Sequence, residues 1–257
     1  MRLLVSVTSA EEASAALAGG ADIIDAKNPL AGALGAVPVE VLREIHAMVA
    51  GARLVTAAIG DATDETTIER AAWRFAAAGA VLVKVGFAGI TSASRIEALI
   101  EAVVRGAGAG DPAGVVAVAY ADADRVAGLE ASAFVDVAAR AGAIGVLLDT
   151  ADKSGPGLRE LMTATALARF VAQAHEAGLL VALAGKLTAD DLAFVRDAGA
   201  DIAGVRGAAC DGGRTGRVSS ERVALLRTLC NRPDLCQGSG DQALFKIAGA
   251  AASIGGR

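Results

Sequence analysis

Residues 76–86 read AAAGAVLVKVG, and this stretch decides the fold. An Ala-rich run ends at Gly79 and an apolar run follows at once. Glycine is favoured just past a helix C-terminus because it takes a positive φ without a Cβ clash. The run AVLVKV at 80–85 is short and almost wholly apolar, which suits a strand buried on both faces of a parallel sheet. The same joint recurs as AGGADII (18–24), ARAGAIGV (139–146), HEAGLLV (175–181) and RDAGADI (196–202). Five joints of one design imply that helices alternate with strands along the chain.

Working outward from these joints, eight short apolar runs appear, at 3–7, 22–26, 53–59, 80–85, 114–120, 143–148, 179–184 and 200–205. Between them lie segments such as TIERAAWRFAAAG (67–79) and ATALARFVAQAHEAG (164–178). Their apolar residues recur at i, i+3, i+4 and i+7, the mark of an amphipathic helix. Eight strand–helix units in 257 residues predict an α/β chain folded as a single (β/α)8 TIM barrel, which takes about 250 residues. An open doubly wound sheet is the competing architecture. It is disfavoured because no Gly-x-Gly-x-x-Gly follows the first strand. The reading divides the chain into a catalytic barrel over 1–230 and a Gly- and Ser-rich C-terminal extension over 231–257, whose role it leaves unknown.

Composition narrows the function. Apolar residues make up 54% of the chain and aromatics only 3%, so the core is built from Ala, Val, Leu and Ile. The formal charge is −5 with no basic run, which argues against a nucleic-acid partner, since backbone phosphates need a clustered positive surface. No apolar run approaches the ~18–20 residues that span a bilayer, and the N-terminus MRLLVSV is too short in its apolar part for a signal peptide. No membrane association and a cytoplasmic location are the expectation. Cys210, Cys230 and Cys236 form no disulfide framework, and only His46 and His175 could join them on a metal. No metal site is predicted.

The most informative feature is a scarcity: of 24 basic residues only five are lysines, Lys27, Lys84, Lys153, Lys186 and Lys246. Four of them, all but Lys246, fall at or just past the C-terminal end of a predicted strand. Barrel active sites sit at that face. A lysine amine, unlike a guanidinium, can lose a proton and attack a carbonyl. The alternative is four solvated loop lysines, but Lys84 stands inside an apolar strand, where a surface lysine does not belong. Carboxylates share these strand ends. Asp25 lies two residues before Lys27 and points the same way on an extended strand. Asp149 ends the sixth strand, and Asp122 follows the fifth as a further acid–base candidate or an ion-pair partner. Asp22 and Asp201 fall at strand starts, on the stability face.

The segment after the eighth strand, GVRGAACDGGRTGRVSS (204–220), is rich in Gly and Arg. Barrels bind phosphate at the loops after strands 7 and 8. Arg206, Gly207, Gly212, Gly213 and Arg214 are therefore candidate phosphate ligands, together with Gly185 and Lys186 after strand 7. The long loop KNPLAGALGAVP (27–38) either closes over a substrate or packs under the rim.

The blocks IIDAKNPLAGALGA (23–36), LVKVG (82–86), AYADADR (119–125), LLDTADKSG (147–155), LVALAGKL (180–187) and DIAGVRGAACDGG (201–213) resemble, in order, those of the (5-formylfuran-3-yl)methyl phosphate synthase family. The resemblance runs from the first strand to about residue 230. It implies a (β/α)8 barrel whose substrate partner is glyceraldehyde 3-phosphate. Two molecules condense, with loss of phosphate and water, to the furan aldehyde phosphate used for methanofuran-type cofactors. It implies a lyase with its Schiff base on Lys27, further active-site lysines Lys84 and Lys153, and acidic partners Asp25 and Asp149. No cofactor and no metal are implied. The family pattern has Ser where this chain has Lys186, so the resemblance gives Lys186 no catalytic part. A class I aldolase-like phosphosugar enzyme and a non-catalytic phosphometabolite-binding barrel are the other readings. A homo-oligomer is expected.

Overall fold

The computed structural model describes residues 1–110 and 112–231. The expected extension beyond Asn231, with Cys236 and Lys246, lies outside the described residues. Eight parallel strands close in chain order: β1 (Arg2–Val7), β2 (Ile23–Ala26), β3 (Leu54–Asp61), β4 (Leu82–Gly86), β5 (Gly114–Tyr120), β6 (Gly145–Asp149), β7 (Leu180–Leu183) and β8 (Ile202–Val205). Pairing of β8 with β1, Val5 opposite Val205, completes a closed (β/α)8 barrel.

Helices α1 (Ala10–Ala18), α2 (Val39–Val49), α3 (Glu65–Ala76), α4 (Ala93–Gly108), α5 (Ala131–Arg140), α6 (Leu158–Leu161), α7 (Ala164–Glu176), α8 (Leu192–Asp197) and α9 (Ser220–Cys230) form the outer ring. Several begin where a hydroxyl or carboxylate accepts an orphan amide, as Ser9, Asp64 and Thr163 do for α1, α3 and α7. All five joint glycines take the predicted positive φ: Gly20 83°, Gly79 98°, Gly142 82°, Gly178 77° and Gly199 92°. Gly79 is doubly required, because a Cβ there would stand 2.5 Å from the His46 ring.

The strands alternate between two cores. Residues such as Val5, Ile24, Val83 and Val146 face the helices in one continuous cluster. Leu4, Ile23, Ala58, Leu82, Val118, Tyr120, Leu147 and Ile202 face inward and fill the barrel. Leu34, from the loop after β2, joins that inner cluster. This loop therefore packs down into the barrel mouth, which the sequence left open. At the opposite end, Asp22 accepts the Leu3 amide at 2.8 Å and pairs with Arg227 at 3.0 Å. Asp201 accepts the Val181 amide at 2.8 Å and meets His175 at 3.0 Å. Both carboxylates serve the stability face. Among the described residues, no helix is long and apolar enough to cross a membrane.

Candidate active site

Inward alternation carries chemistry upward along each strand. Ser6, Asp25 and Thr56 are register partners on β1, β2 and β3. Their side chains meet: the Ser6 hydroxyl donates to Asp25 Oδ2 at 3.0 Å and the Thr56 hydroxyl to Oδ1 at 2.7 Å. Lys84, inward on β4, places its Nζ 2.5 Å from Asp25 Oδ2. Asp25 is fully buried and Lys84 is 5% exposed. A buried carboxylate with three donors is the arrangement that tolerates desolvation. Burial pushes the Lys84 ammonium down from its ordinary value, opposed by Asp25 and reinforced by Lys27.

A second cluster lies above the first. Asp149 ends β6 and accepts from Lys153 at 2.6 Å on Oδ1, while Lys27 stands 3.5 Å from Oδ2. The Thr150 amide also donates to Oδ1, at 2.8 Å. Burial opposes ionisation of Asp149, but the ammonium groups of Lys153 and Lys27 outweigh it and hold the carboxyl at about 2. Lys153 is pushed down by burial, against the pull of Asp149 and with the repulsion of Lys27. Of the three amines, Lys27 has the longest and loosest contact.

All five of these groups line one cavity of about 300 Å³. Its walls come from β1, β2, β4, β6, β7 and β8 and the loops after β2, β6, β7 and β8; Gly185, Lys186, Arg206, Gly207 and Arg214 form its rim. Among the described residues, no β3 or β5 side chain lines it, because Leu34 closes that side. A Cβ at Gly86 would meet Leu34, the Tyr120 hydroxyl and Asp61 within 2.6 Å. The Tyr120 hydroxyl donates to Asp61 at 2.7 Å.

The remaining predicted residues divide. Gly185 takes φ +104°, and a Cβ there would stand 3.0 Å from the Thr150 methyl. Lys186 follows at φ 59°, left-handed although not glycine, and its ammonium donates to the Gly155 carbonyl. Gly212 and Gly213 are exposed, lie outside the cavity lining and turn a small ribbon, β9 (Cys210–Asp211) with β10 (Arg217–Val218). Arg206 lines the cavity, but all five of its N–H groups are spent inside the protein. They hold Glu12 at 2.5 and 3.0 Å and the carbonyls of Ser6, Arg214 and Gly216. This geometry makes Arg206 a strut beneath the β8 loop, with no donor left for a phosphate. Asp122 is buried outside the cavity, and its two oxygens accept the Ala151 and Asp152 amides at 2.8 and 2.9 Å. It fixes the loop that carries Lys153.

Sequence reasoning missed Ser6, Thr56 and Glu12. The alternation that placed Asp25 inward also places Ser6 and Thr56 inward, but only the register joins them. Nothing in the sequence ties Glu12 to an arginine 194 residues away. Among the described residues, no group of His, Cys, Asp and Glu is placed to hold a metal ion.

Comparison with known proteins identifies the family. The family described as 4-HFC-P synthase matches residues 3–227. The (5-formylfuran-3-yl)methyl phosphate synthase of Methanocaldococcus jannaschii is 42% identical over 90% of this chain and 100% of its own. The enzyme of the same name from Methanopyrus kandleri is 43% identical over 89% of this chain and 97% of its own. Among solved structures, a 3-hexulose-6-phosphate synthase aligns with a TM-score of 0.60 at 23% identity, over 89% of this chain and 99% of that one. The phosphoribosyl anthranilate isomerase of Thermus thermophilus aligns with a TM-score of 0.60 at 16% identity, over 89% and 98%. At such identities the structural likeness speaks for the barrel alone.

Proposed function

The chain belongs to the 4-HFC-P synthase family, and we propose that it condenses two molecules of glyceraldehyde 3-phosphate to (5-formylfuran-3-yl)methyl phosphate through a Schiff base on Lys27. Phosphate and water leave in the process, which makes the enzyme a carbon–oxygen lyase serving methanofuran-type cofactor synthesis. The observation that carries this reading is the convergence of three lysines and two carboxylates in one cavity.

Each group has a part that follows from its contacts. Lys27 is least tied, so its amine can swing to a carbonyl carbon. Attack releases a proton that Asp149, held at about 2, does not take near neutrality. Lys153 and Lys84, both pushed down by burial, are the acceptors. Once formed, the iminium acidifies the neighbouring C–H, and the same amines carry protons through aldol addition, cyclisation and elimination. Asp149 stays ionised throughout and balances the positive charge of iminium and ammonium. Asp25 anchors Lys84 from below. A phosphate is taken by the rim, where, among the described residues, no turn or cap hydrogen bond engages the amides of Gly185 and Gly207. Arg206 stiffens that rim, and Asp122 does the same for Lys153.

Incubation with glyceraldehyde 3-phosphate and borohydride, followed by peptide mass mapping, tests the proposal. A reduced adduct on Lys27 that is lost in Lys27→Ala supports it. An adduct only on Lys84 or Lys153 would move the nucleophile. No adduct on any lysine, with tight substrate binding, would leave a binding barrel.

A further inference from the structure

The cavity carries more positive charge than its chemistry uses. Lys27, Lys84, Lys153, Lys186, Arg206 and Arg214 line it, against the carboxylates Asp25 and Asp149. Glu12, behind the wall, neutralises Arg206. Six basic groups facing three carboxylates leave a formal excess of three positive charges, in a chain whose net charge is −5. Four of the six have a carboxylate partner. Lys186 and Arg214 have none among the described residues. Their side-chain hydrogen bonds among the described residues all go to backbone carbonyls: Lys186 to Gly155, and Arg214 to Pro29 and, at 2.9 Å, to Gly32.

The contrast with Arg206 is direct. Arg206 spends every N–H it has, whereas Arg214 spends two of five and keeps three for another acceptor. The two unneutralised cations also stand at different places on the rim. Lys186 is on the β7 loop beside Gly185 and reaches across to the β6 loop, which bears Lys153. Arg214 is on the β8 loop, where its backbone nitrogen lies 3.4 Å from the Cβ position of Gly207, and reaches across to the β2 loop, which bears Lys27. Each therefore flanks one arm of the Lys27–Asp149–Lys153 cluster. Lys186 is held there in a left-handed conformation at φ 59°, which costs a non-glycine residue about 1 kcal/mol.

We infer that Lys186 and Arg214 are two separate phosphate posts, one for each of the two triose phosphates, with Gly185 beside the first and Gly207 beside the second. The inference rests on the two-substrate reading above and assigns the second phosphate, which that reading leaves without a site. Because Arg214 already grips the β2 loop, a phosphate on it also bridges to the loop that carries Lys27. The post and the nucleophile are thereby held in one arrangement.

Titration calorimetry of the full chain with glycerol 3-phosphate tests this. The probe is a phosphate ester with no carbonyl, so it occupies a post without reacting. The wild-type chain binds two equivalents; Arg214→Met and Lys186→Met each bind one. Arg214→Lys keeps the charge but cannot brace two carbonyls, and it retains the second equivalent with affinity within about tenfold. An unchanged count in Arg214→Met or Lys186→Met overturns the inference, as does a single equivalent in the wild type. Loss of the second equivalent in both Arg214→Met and Arg214→Lys also overturns it, since Arg214 then acts only as a loop brace. Two equivalents bound without any furan formed from glyceraldehyde 3-phosphate would sink the proposed reaction and leave the posts standing. Furan formation with one equivalent bound would do the reverse.

Discussion

Replacing Asp149 by Asn removes the one anion between Lys27 and Lys153, and the cost is readable as a pH dependence of stability. Folding takes the Asp149 carboxyl from its ordinary 3.8 to about 2. A tenfold change in proton affinity is worth about 1.4 kcal/mol, so this carboxylate contributes about 2 kcal/mol at neutral pH. The pKa is depressed by folding, so the unfolded chain binds the proton first as pH falls. The contribution is therefore full well above about pH 4, roughly half lost at about pH 3, and gone below about pH 2. Asn titrates nowhere in this range and lacks the contribution at every pH. Urea unfolding followed by circular dichroism gives the comparison. At neutral pH the variant is less stable by at least about 2 kcal/mol, since two ammonium groups also lose their partner. The gap narrows by about 1 kcal/mol on going down to about pH 3. A gap that stays constant over that range would refute the account, because the folded carboxyl would then titrate like a free one.

On the proposed reaction, the same cluster governs the rate. Proton acceptance by Lys153 and Lys84 requires their neutral amines, so kcat/KM rises with pH through the depressed lysine pKa values and falls on the acid side. Lys153→Met and Lys84→Met each lose about 10²–10⁴-fold in kcat, the usual worth of a positioned acid–base group; a loss confined to KM would contradict the assignment. Cutting the Arg206 strut with Glu12→Gln leaves a guanidinium without its counter-ion and costs about 3 kcal/mol in chemical denaturation; a change under about 0.5 kcal/mol would place that pair among ordinary surface bridges. Gly79→Ala forces a Cβ onto φ 98° and into His46, and it costs about 1–3 kcal/mol, read as a lowered unfolding midpoint.

Most of the barrel was legible because its signals are local. The glycine joints and the eight runs depend on neighbours in sequence, and each run became a strand. The edges moved for a physical reason. Ala80, Ala143 and Ala200 are buried yet precede their strands, since the turn into a strand packs under the helices before its hydrogen bonds begin. The scarce lysines singled out by type do meet, since Lys27, Lys84, Lys153 and Lys186 line one cavity. The contacts that give each rim residue its part were not legible. Arg206 and Arg214 look alike in GVRGAACDGGRTG, and only the fold shows that one is saturated and the other is not. The glycines at 212 and 213 matched a phosphate loop in composition, but they turn an exposed ribbon and do not line the cavity.

The asymmetry of the barrel mouth explains why the chemistry gathers where it does. Leu34 and the Tyr120–Asp61 pair fill the β3–β5 side, and among the described residues most of the cavity lining comes from β6, β7, β8 and the loops after them. The loop that delivers Leu34 begins with Lys27 itself. It is pinned at Pro29 and Gly32 by Arg214 and closed by the Asn28 amide on the Gly35 carbonyl at 2.8 Å. The plug and Lys27, the nucleophile of the proposed reaction, are thus one rigid unit: seating Leu34 in the inner core sets the height at which Lys27 meets Asp149. Leu34→Ala therefore tests more than packing. A large buried side chain lost here costs about 2–4 kcal/mol, but the loop also gains freedom, and Lys27 with it. Borohydride trapping on Lys27 falls at least about tenfold at a temperature where the variant remains folded, because misplacement of a reacting group by about 1 Å is worth that much or more. Trapping at the wild-type rate in a folded but destabilised variant would show that Lys27 takes its position from Asp149 alone.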